Sequence, residues 1–428
     1  LMKIILCTLI LLLTMTLGYA AVLSVALDGS QPYTSIQTAI DASTHGDTVL
    51  VYPGRYLENV QFFGKNITLA SLELTTGDPS YKYVTIIDGN HLNSVIQIRN
   101  GESNVTIRGF SIVNGRGFYD TTYGTTHGGG LLVGALSGQR QLSLINCVIS
   151  DNFASSGGGM QIDQCHLTMS GVSIRNNVSS TGGGIFFAGS YTQYQSNYDP
   201  VNRCSIYSNY AAFGSDIYYY NVNSVHVIVD TFTVADPWNF YATAVPSNPN
   251  ISNPYTFDIL NTVHEEVNHD LYVSPWGDDA NSGLSPSEPM KSVFNAMYRI
   301  ASDSNDPKTV HVANGHYSPS LNGQMFPIPV KSHTRLTGES RNGTIFDADN
   351  ESNVLTISAH THEFALQNLT LYNGKSGITT NYSNTWTANN IHILDLNDVR
   401  ANRGINDYQA QGLITLNDVV ISNVVVLM

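Results

Sequence analysis

The chain has 428 residues, which is enough for two or three ordinary domains. Charged residues make up 12% of it, where about 25% is usual for a soluble protein, so Asn, Ser, Thr and Gly must cover much of the surface. The formal net charge is -14, with 19 Lys and Arg residues against 33 Asp and Glu residues. So few cations leave no basic stripe to follow a phosphate backbone, which argues against a nucleic-acid partner.

The chain begins with LMKIILCTLILLLTMTLGYA, which combines one lysine, an apolar run and a small-residue exit. This pattern is typical of a secretory signal peptide that is cut after Ala20. A membrane anchor is the alternative, but the run is short, and Thr14 and Thr16 interrupt it. We therefore expect residues 1–20 to be removed, leaving no transmembrane span and a protein that is secreted, extracellular or on the outer cell surface.

A short helical pattern follows at TSIQTAIDAST. Thr34 and Gln37 are spaced as a capping box, and Ile36, Ala39 and Ile40 fall on one helical face. The next stretch, GDTVLVYPGRYLENV, has the pattern of strands. The sequence therefore predicts a helix that covers the open end of a strand-rich unit.

Further along, a motif of Ile, two residues and Asn recurs at 149–152, 174–177 and 206–209. Glycine-led segments accompany it, and they begin at Gly128, Gly157, Gly182 and Gly214. The segments between the glycines are short, β-branched and alternating, as in LSLINCVIS, so they predict short strands. The repeated isoleucines are 25 and 32 residues apart. Repeats of this length indicate a parallel coil in which Ile faces the core, inward Asn side chains form hydrogen bonds from rung to rung, and Gly forms the corners.

The mature chain keeps three cysteines, and the repeat argues against disulfides between them. Cys147 and Cys204 both stand two residues before the repeated Ile, with Val172 in the same slot between them. Two rungs at about 4.8 Å each separate the cysteines by roughly 9.6 Å, which is beyond disulfide reach. Cys165 falls in another part of the repeat, so we expect three free, buried thiols.

Three stretches resemble known families. VYPGRYLENVQFFGKNITLAS and TIIDGN at 85–90 resemble the opening coils of the pectin methylesterases, members of the right-handed parallel β-helix, or pectin lyase-like, superfamily. LYVSPWGDDANSGLSPSEPMKSVFNAM resembles the entry motif of family 9 pectate lyases and related β-helix domains of unknown function. The Ile-Asn and glycine repeat is similar to repeats of polymorphic outer-membrane adhesins. The resemblance implies an all-β fold, a right-handed parallel β-helix solenoid.

The two openings match each other. TIIDGNHLNSVIQI at 85 matches TIFDADNESNVLTI at 344, and TIRGFSIVNG at 106 matches ALQNLTLYNG at 365, both at an offset of 259. The sequence therefore predicts a tandem duplication, with β-helices at 21–235 and 269–428, each opened by a short capping helix. The stretch 236–268 is expected to be an extended linker because it is rich in Asn and contains Pro237, Pro246, Pro249 and Pro254.

Catalytic motifs are harder to find than scaffold motifs. Pectin methylesterases carry glutamine-alanine-valine and aspartate-phenylalanine-isoleucine motifs, and the chain has neither. Pectate lyases need carboxylates for calcium and an Arg or Lys base. The nearest such set consists of Lys375, Asp395, Asp398, Arg400 and Arg403. LNDV recurs at 396 and 416, which would put Asp398 and Asp418 in one slot on successive rungs, so coil corners are favoured over metal ligands.

Asp278 and Asp279 form the other carboxylate pair of interest. They lie in the segment that resembles a pectate lyase entry motif, where they are weak candidates for a calcium site. Turn formation is the favoured interpretation, because Asp and Gly together usually shape turns. We expect no cofactor unless it is calcium.

Two coils carry long inserts that are rich in tyrosine, at 116–127 and 190–203. Loops on a rigid solenoid often carry recognition, and exposed tyrosine rings stack on sugar faces. The predicted carbohydrate-binding residues are Tyr119, Tyr123, Tyr191, Tyr194 and Tyr198. The alternative is that these rings pack down over neighbouring coils as a lid.

These observations favour a non-catalytic secreted or cell-surface β-helix that binds polysaccharide or a cell-surface glycan, or acts as an adhesin, as a monomer. The first alternative is a polysaccharide-degrading enzyme of the pectate lyase or pectinesterase type, and the second is a structural spacer. A groove in which carboxylates from three rungs meet a Lys or Arg would favour the enzyme.

The end of the chain, LITLNDVVISNVVVLM, aligns with LSLINCVISDN of the first copy. The second copy then lacks the later rungs and stops in an apolar strand, so we expect it to be truncated and less stable than the first. Separate expression and thermal unfolding of 21–235 and 268–428 measure this difference. A second fragment that is monomeric, cooperative and equally stable would contradict the truncation.

Overall fold

Stacked parallel strands form most of the structure. The computed structural model describes residues 20–134, 140–188, 196–237, 240–248, 251, 254–357, 361–381, 385–396, 404–408 and 412–422. Within these ranges, strands pair in parallel with the equivalent strands of neighbouring turns, and a single hairpin is antiparallel. The protein is therefore a parallel β-helix, as the sequence predicts.

The first solenoid, Val22 to Thr262, has three strand faces. The first face contains Val22–Val25, Thr48–Val51, Thr68–Ser71, Asn104–Arg108, Gln141–Ile145, His166–Ser170 and Ser196–Tyr198. The second face contains Gly54–Leu57, Thr85–Asp88, Ser111–Val113, Val148–Ser150, Ser173–Arg175, Cys204–Tyr207, Val225–Phe232 and Tyr255–Thr262. The third face contains Val60–Gln61, Ile96–Ile98, Leu131–Val133, Met160–Asp163, Ile185–Ala188, Ile217–Tyr220 and Ala242–Val245.

The repeated isoleucines and asparagines lie where the repeat predicts. Ile149, Ile174 and Ile206 are paired across successive rungs and fully buried. At the corner after the second face, the Asn152 side-chain amide donates to Asn177 Oδ1 at 3.0 Å. Asn177 repeats this contact to Asn209 at 2.9 Å. The buried amides therefore form a ladder in which each oxygen also accepts the backbone N–H of the preceding asparagine.

The glycines meet two separate demands at the same corner. Gly157 and Gly182 have φ of 65°, a left-handed conformation that side chains disfavour. The last glycine of each triplet faces the ladder: a Cβ on Gly159 would lie 2.5 Å from Gly184 O and 3.0 Å from Asn177 Nδ2. The triplets are therefore required by backbone conformation at one end and by lack of space at the other.

Asp216 ends the ladder. Ile185 pairs with Ile217, so Asp216 stands where the preceding rung has Gly184. Its Oδ1 accepts from the side chain of Asn209 at 2.9 Å and from the backbone of Asn209 at 3.2 Å. Asp216 is fully buried, and this burial raises the pKa of its carboxyl to about 7. The carboxylate therefore supplies the oxygen that a further asparagine would have supplied.

The cysteines confirm the rung alignment. Cys147, Cys165 and Cys204 are free and buried. Ser173 N donates to Cys147 O, and Ser205 N donates to the carbonyl of Val172 one rung further. Cys147, Val172 and Cys204 therefore form one inward column, which keeps the two sulfurs of that column two rungs apart.

The helices are short. They span Ile36–Ala42, Glu73–Thr76, Val293–Arg299 and Pro319–Asn322, with a 3-10 helix at Pro79–Tyr83. The first helix buries Ile36, Ala39 and Ile40, as predicted. The predicted capping box is wrong, because Ser35 is the N-cap and its Oγ accepts a hydrogen bond from the backbone N–H of Thr38. Glu58 of the first coil accepts the first two N–H groups of the helix, from Ile36 and Gln37, a tertiary contact that local spacing does not reveal.

The second solenoid, Leu271 to Ser422, merges two faces into long strands. Its first face contains Leu271–Val273, Lys308–Val312, Thr334–Gly338, Phe364–Tyr372, Trp386–Leu394 and Ile414–Ser422. Gly315–Tyr317 and Thr344–Asp347 continue into the second halves of the long strands. The other face contains Ile328–Val330, Leu355–Ile357, Ile378–Asn381 and Ile405–Tyr408. Each long strand bends at a left-handed residue: φ is 56° at Asn368, 54° at Asn390 and 50° at Asp418.

The helix Val293–Arg299 has two neighbouring apolar faces because it contacts both solenoids. Val293, Ala296 and Met297 belong to the core of the second solenoid. Phe294 and Tyr298 are buried against the core of the first. The predicted second capping helix is therefore present, and it also covers the end of the first solenoid.

The predicted linker is partly built into the first solenoid. Ala242–Val245 pairs in parallel with Ile217–Tyr220, and Tyr255–Thr262 pairs with Val225–Phe232. These strands add a rung within 236–268, so the first solenoid extends beyond the predicted boundary at 235. Proline lies outside these strands, where no ladder N–H is needed.

The two openings share local contacts. Tyr56 and Tyr317 are both buried, and each hydroxyl donates to the carbonyl four residues earlier at 2.9 Å. Asn114 donates to Asp88 at 3.0 Å, and Asn373 donates to Asp347 at 3.1 Å. The aspartates differ by the offset of 259 seen in the sequence. These contacts support the predicted duplication, which itself stays a prediction.

Replacing Asp216 with Asn should stabilise the protein above neutral pH. The ordinary pKa of the group is 3.8 and the folded value is about 7. Its contribution to the free energy of unfolding is therefore fully present below pH 3.8 and is lost as the pH rises through 7. Asp216→Asn keeps the accepting oxygen without the charge. The stability lost between about pH 5 and pH 8 should shrink by about 3 kcal/mol, measured by chemical denaturation.

Asp78→Asn is the control, because Asp78 lies in an exposed turn where hydrogen bonds from Ser80 lower its pKa. Its slope above pH 6 should match that of the wild type. An unchanged slope in Asp216→Asn would contradict the assignment.

Candidate functional site

The predicted catalytic set is only partly described. Lys375 is exposed, and Asp395 is half-buried at a left-handed backbone position with φ of 52°. No hydrogen bond or ion pair joins these two side chains in the described structure. Asp398, Arg400 and Arg403 lie outside the described residues. The lyase-type constellation therefore stays a prediction.

The proposed equivalence of Asp398 and Asp418 is wrong. Leu416 pairs with Ala388, so the second LNDV lies in register with ANNI at 388–391. Asp418 therefore follows Asn390, whose side chain donates to Asn368 at 2.8 Å. Asp418 itself accepts from Arg341 at 2.9 Å. It is a corner residue in a column of Asn and Asp, which agrees with the structural interpretation of this slot.

The Asp278–Asp279 pair shapes the start of the second solenoid. Asp278 Oδ1 accepts from the N–H of Ala280, two residues later. Asp279 Oδ1 accepts from the backbone of Lys291 and Ser292, and its Oδ2 accepts from the Asn295 side chain. Both carboxylates therefore hold a turn and a helix start, the alternative that the sequence favoured. Among the described residues, no group of three or more His, Cys, Asp and Glu could hold a metal ion.

The first tyrosine insert forms the antiparallel hairpin Phe118–Asp120 and Thr125–His127. Its turn, TTYG at 121–124, lacks the paired Asn-Gly that usually marks a hairpin in a sequence. Tyr119 is 58% exposed and Tyr123 is 76% exposed. The predicted rings of this insert are therefore at the surface.

The hairpin is held to the coil from both strands. Thr126 N donates to Ser155 Oγ at 3.1 Å, and Ser155 N donates to the Thr126 carbonyl at 3.0 Å. On the other strand, the Arg99 guanidinium lies 3.8 Å from the centre of the Phe118 ring. The tyrosines are therefore presented on an anchored element.

The second insert contributes less to this surface. Tyr198 is 6% exposed, and its hydroxyl lies 3.2 Å from the hydroxyl of Tyr219 in the core. The prediction for Tyr198 is corrected, because a buried ring cannot stack on an external sugar. Tyr191 and Tyr194 lie outside the described residues.

A groove of about 830 Å³ lies between the two solenoids and is called the junction groove. Its first wall follows the corner ladder, where Phe153, Val178 and Tyr210 each come directly after a ladder asparagine and pair across rungs. Phe153 is 46% exposed and Val178 is 40% exposed. The Tyr210 ring packs 5.7 Å from the Phe294 ring, which closes the floor of the groove between the solenoids.

The opposite wall comes from the second solenoid. It contains Met325, Phe326, Pro327, Glu351, Ser352 and Lys375. Arg116 lies on the first wall, beside the hairpin, with its guanidinium 5.3 Å from the Phe153 ring centre. The groove thus combines an apolar lining with charged side chains at its edges.

A separate, smaller cleft contains the buried Lys331. Lys331 Nζ donates to Tyr298 O at 2.9 Å, to Ile300 O at 2.8 Å and to Glu266 Oε1 at 2.7 Å. It also contacts the hydroxyl of Tyr241 from the first solenoid at 3.3 Å. Burial lowers the pKa of Lys331, and Glu266 acts in the opposite direction. With its partners satisfied, this ammonium is a structural clamp between the solenoids.

Comparison with known proteins gives a family match for the second solenoid. The model of a family described as "Protein of unknown function (DUF1565)" matches residues 276–426. This range begins within the segment that resembles a pectate lyase entry motif. No curated protein matches the chain. None of the described helices is both long and apolar enough to cross a membrane.

Solved structures give distant similarities. Pectin methylesterase from carrot has 14% identity and a TM-score of 0.29, and the match covers 56% of this chain and 82% of that chain. Pectin methylesterase from Aspergillus niger has 12% identity and a TM-score of 0.23, covering 95% and 87%. A PL6 family alginate lyase has 10% identity and a TM-score of 0.22, covering 94% and 80%. The parallel β-helix assignment rests on the strand register of this protein.

The junction groove was not predicted, because its walls are separated by more than a hundred residues. The available signal was the residue after each ladder asparagine, since Phe153, Val178 and Tyr210 are all apolar at a corner where polar residues are usual. Lys375 was noticed for a different reason, as a candidate base. Its neighbours across the groove depend on the packing of the solenoids.

Replacing Lys331 with Met should weaken the contact between the solenoids. The substitution removes the donor shared by Tyr298 O, Ile300 O and Glu266, and it leaves Ile300 O without this donor. The expected loss is about 3 kcal/mol of unfolding free energy, measured by denaturation of the whole protein. Lys291→Met is the matched control, because the Lys291 side chain forms no ion pair in the described structure, and its stability should stay within about 0.5 kcal/mol. Equal stability of both variants would exclude the clamp.

Proposed function

We propose that the protein is an exported β-helix that binds polysaccharide at or outside the cell surface and does not cleave it. Export is supported by the signal-like residues 1–20. Binding is supported by one observation above all: Tyr119 and Tyr123 are exposed on a hairpin that is anchored to a rigid solenoid. Rigid presentation lowers the entropy lost when a ring stacks on a sugar.

The character of the hairpin surface fits a neutral or weakly acidic glycan. A tyrosine ring offers an apolar face to the C–H groups of a sugar and a hydroxyl for hydrogen bonding. The net charge of -14 opposes a densely charged polyuronate unless calcium bridges the two. The hairpin carries Asp120 and His127 beside the rings but no lysine or arginine.

The enzyme alternative makes a separate demand. Cleavage of a uronate polymer by elimination needs a base beside carboxylate-bound calcium. It is tested by incubation with polygalacturonate and calcium, followed at the ultraviolet absorbance of an unsaturated product. Formation of that product would replace the binding role with lyase activity.

The double substitution Tyr119→Ala and Tyr123→Ala should reduce binding to the best glycan of an array by about tenfold or more, since each lost ring contact weakens binding by about 1 kcal/mol. The matched control is Tyr83→Ala, because Tyr83 is 62% exposed on the 3-10 helix, away from the hairpin. Its affinity should be that of the wild type. Array binding that survives the double substitution would reject the hairpin as the binding element.

A further inference from the structure

We propose that the junction groove binds an extended peptide segment of a partner protein, one that carries apolar side chains and at least one carboxylate. The site is formed jointly by the two solenoids and is independent of glycan binding by the hairpin.

The lining of the groove selects apolar side chains. Val178, Met325 and Pro327 offer aliphatic surfaces, which suit leucine or phenylalanine side chains better than the flat faces of sugars. Phe153 and Val178 remain 46% and 40% exposed, whereas Tyr210 of the same corner packs against Phe294 of the capping helix. Successive rungs place these side chains about 4.8 Å apart. An extended peptide that runs along the solenoid axis can meet them in turn.

A polar group in the groove lacks a partner. Ser179 is 9% exposed, lines the groove, and its buried Oγ makes no hydrogen bond in the described structure. A buried hydroxyl without a partner destabilises the free protein and favours a ligand that supplies one. A peptide backbone carries a carbonyl and an N–H at almost every residue, so a peptide that lies along the groove can form a hydrogen bond with the Ser179 hydroxyl.

The charges at the edges indicate an acidic ligand. Arg116 on the first wall and Lys375 on the second form no ion pair in the described part of the chain. Glu351 is the carboxylate that lines the groove with them. Two unpaired cations at one groove are notable in a chain with 19 basic residues and a net charge of -14. They favour a ligand carboxylate and oppose a basic peptide.

The experiment selects displayed random nonamer peptides on the full mature protein, after removal of peptides that bind the support alone. Enriched peptides are synthesised with a fluorescent label and titrated by anisotropy. We expect them to combine Asp or Glu with Leu, Phe or Met. Affinity should fall at least about tenfold in Val178→Asp, and about fivefold or more in the double variant Arg116→Gln with Lys375→Gln.

The double variant keeps the test decisive if Val178→Asp unfolds, because both of its residues lie at the groove edge. Its charge-matched control is Lys291→Gln with Arg335→Gln, outside the groove, which should bind as the wild type does. The proposal is overturned by a lack of enrichment, by enriched peptides without acidic residues, or by affinity that the double variant leaves unchanged. A glycan-array signal that the double variant abolishes, without peptide enrichment, would instead assign the groove to sugars. Glycan binding by the hairpin is measured separately with the Tyr119→Ala and Tyr123→Ala double variant. A failure of the hairpin proposal and a failure of the groove proposal therefore give different results.

Discussion

The register between rungs is the constraint on which the rest of the structure depends. A slip of one residue would turn every inward side chain outward, because side chains alternate along a strand. The backbone ladder alone does not distinguish registers, but the buried asparagines do. An Asn177 displaced from Asn209 would leave its amide and two backbone groups unpaired in the core. The corner ladder thus fixes the position of each rung, and the isoleucine columns follow.

The sequence predicted the elements that repeat and missed those that depend on distant packing. The positions of Ile174, Asn177 and the glycines could be predicted because each rung contacts the same kinds of neighbour as the rung before. Thr34 was predicted as the helix cap in place of Ser35, and the part of the cap that Glu58 of the following coil supplies has no local signal. Tyr198 was predicted to be an exposed loop residue, but its ring is buried and its hydroxyl lies 3.2 Å from the hydroxyl of Tyr219 in the core. The duplicated openings were visible, whereas the added rung at 242–262 was hidden by proline-rich flanks.

The helix Val293–Arg299 shows how two solenoids can share one boundary. A capping helix normally presents one apolar face, but this one buries Phe294 and Tyr298 on a second face, about 100° around the helix from Val293 and Met297. The clamp at Lys331 adds polar contacts to the same boundary. Because a groove formed by two bodies is as rigid as their contact, the shape of the junction groove depends on this helix, which supplies Phe294 to its floor, as well as on the residues of its two walls.

Asp216 separates the part of the first solenoid that can change length from the part that cannot. The rungs of Asn152 and Asn177 each present a glycine and an asparagine amide to the following rung, which meets them with its own asparagine side chain. A unit of this kind can therefore be inserted between two others without a new interface. The rung of Asp216 presents a carboxylate on the side where a glycine would admit another asparagine. Insertions or deletions of whole units before this rung would therefore lengthen or shorten the protein, while the contacts of Tyr210 and Tyr241 with the capping helix stay the same.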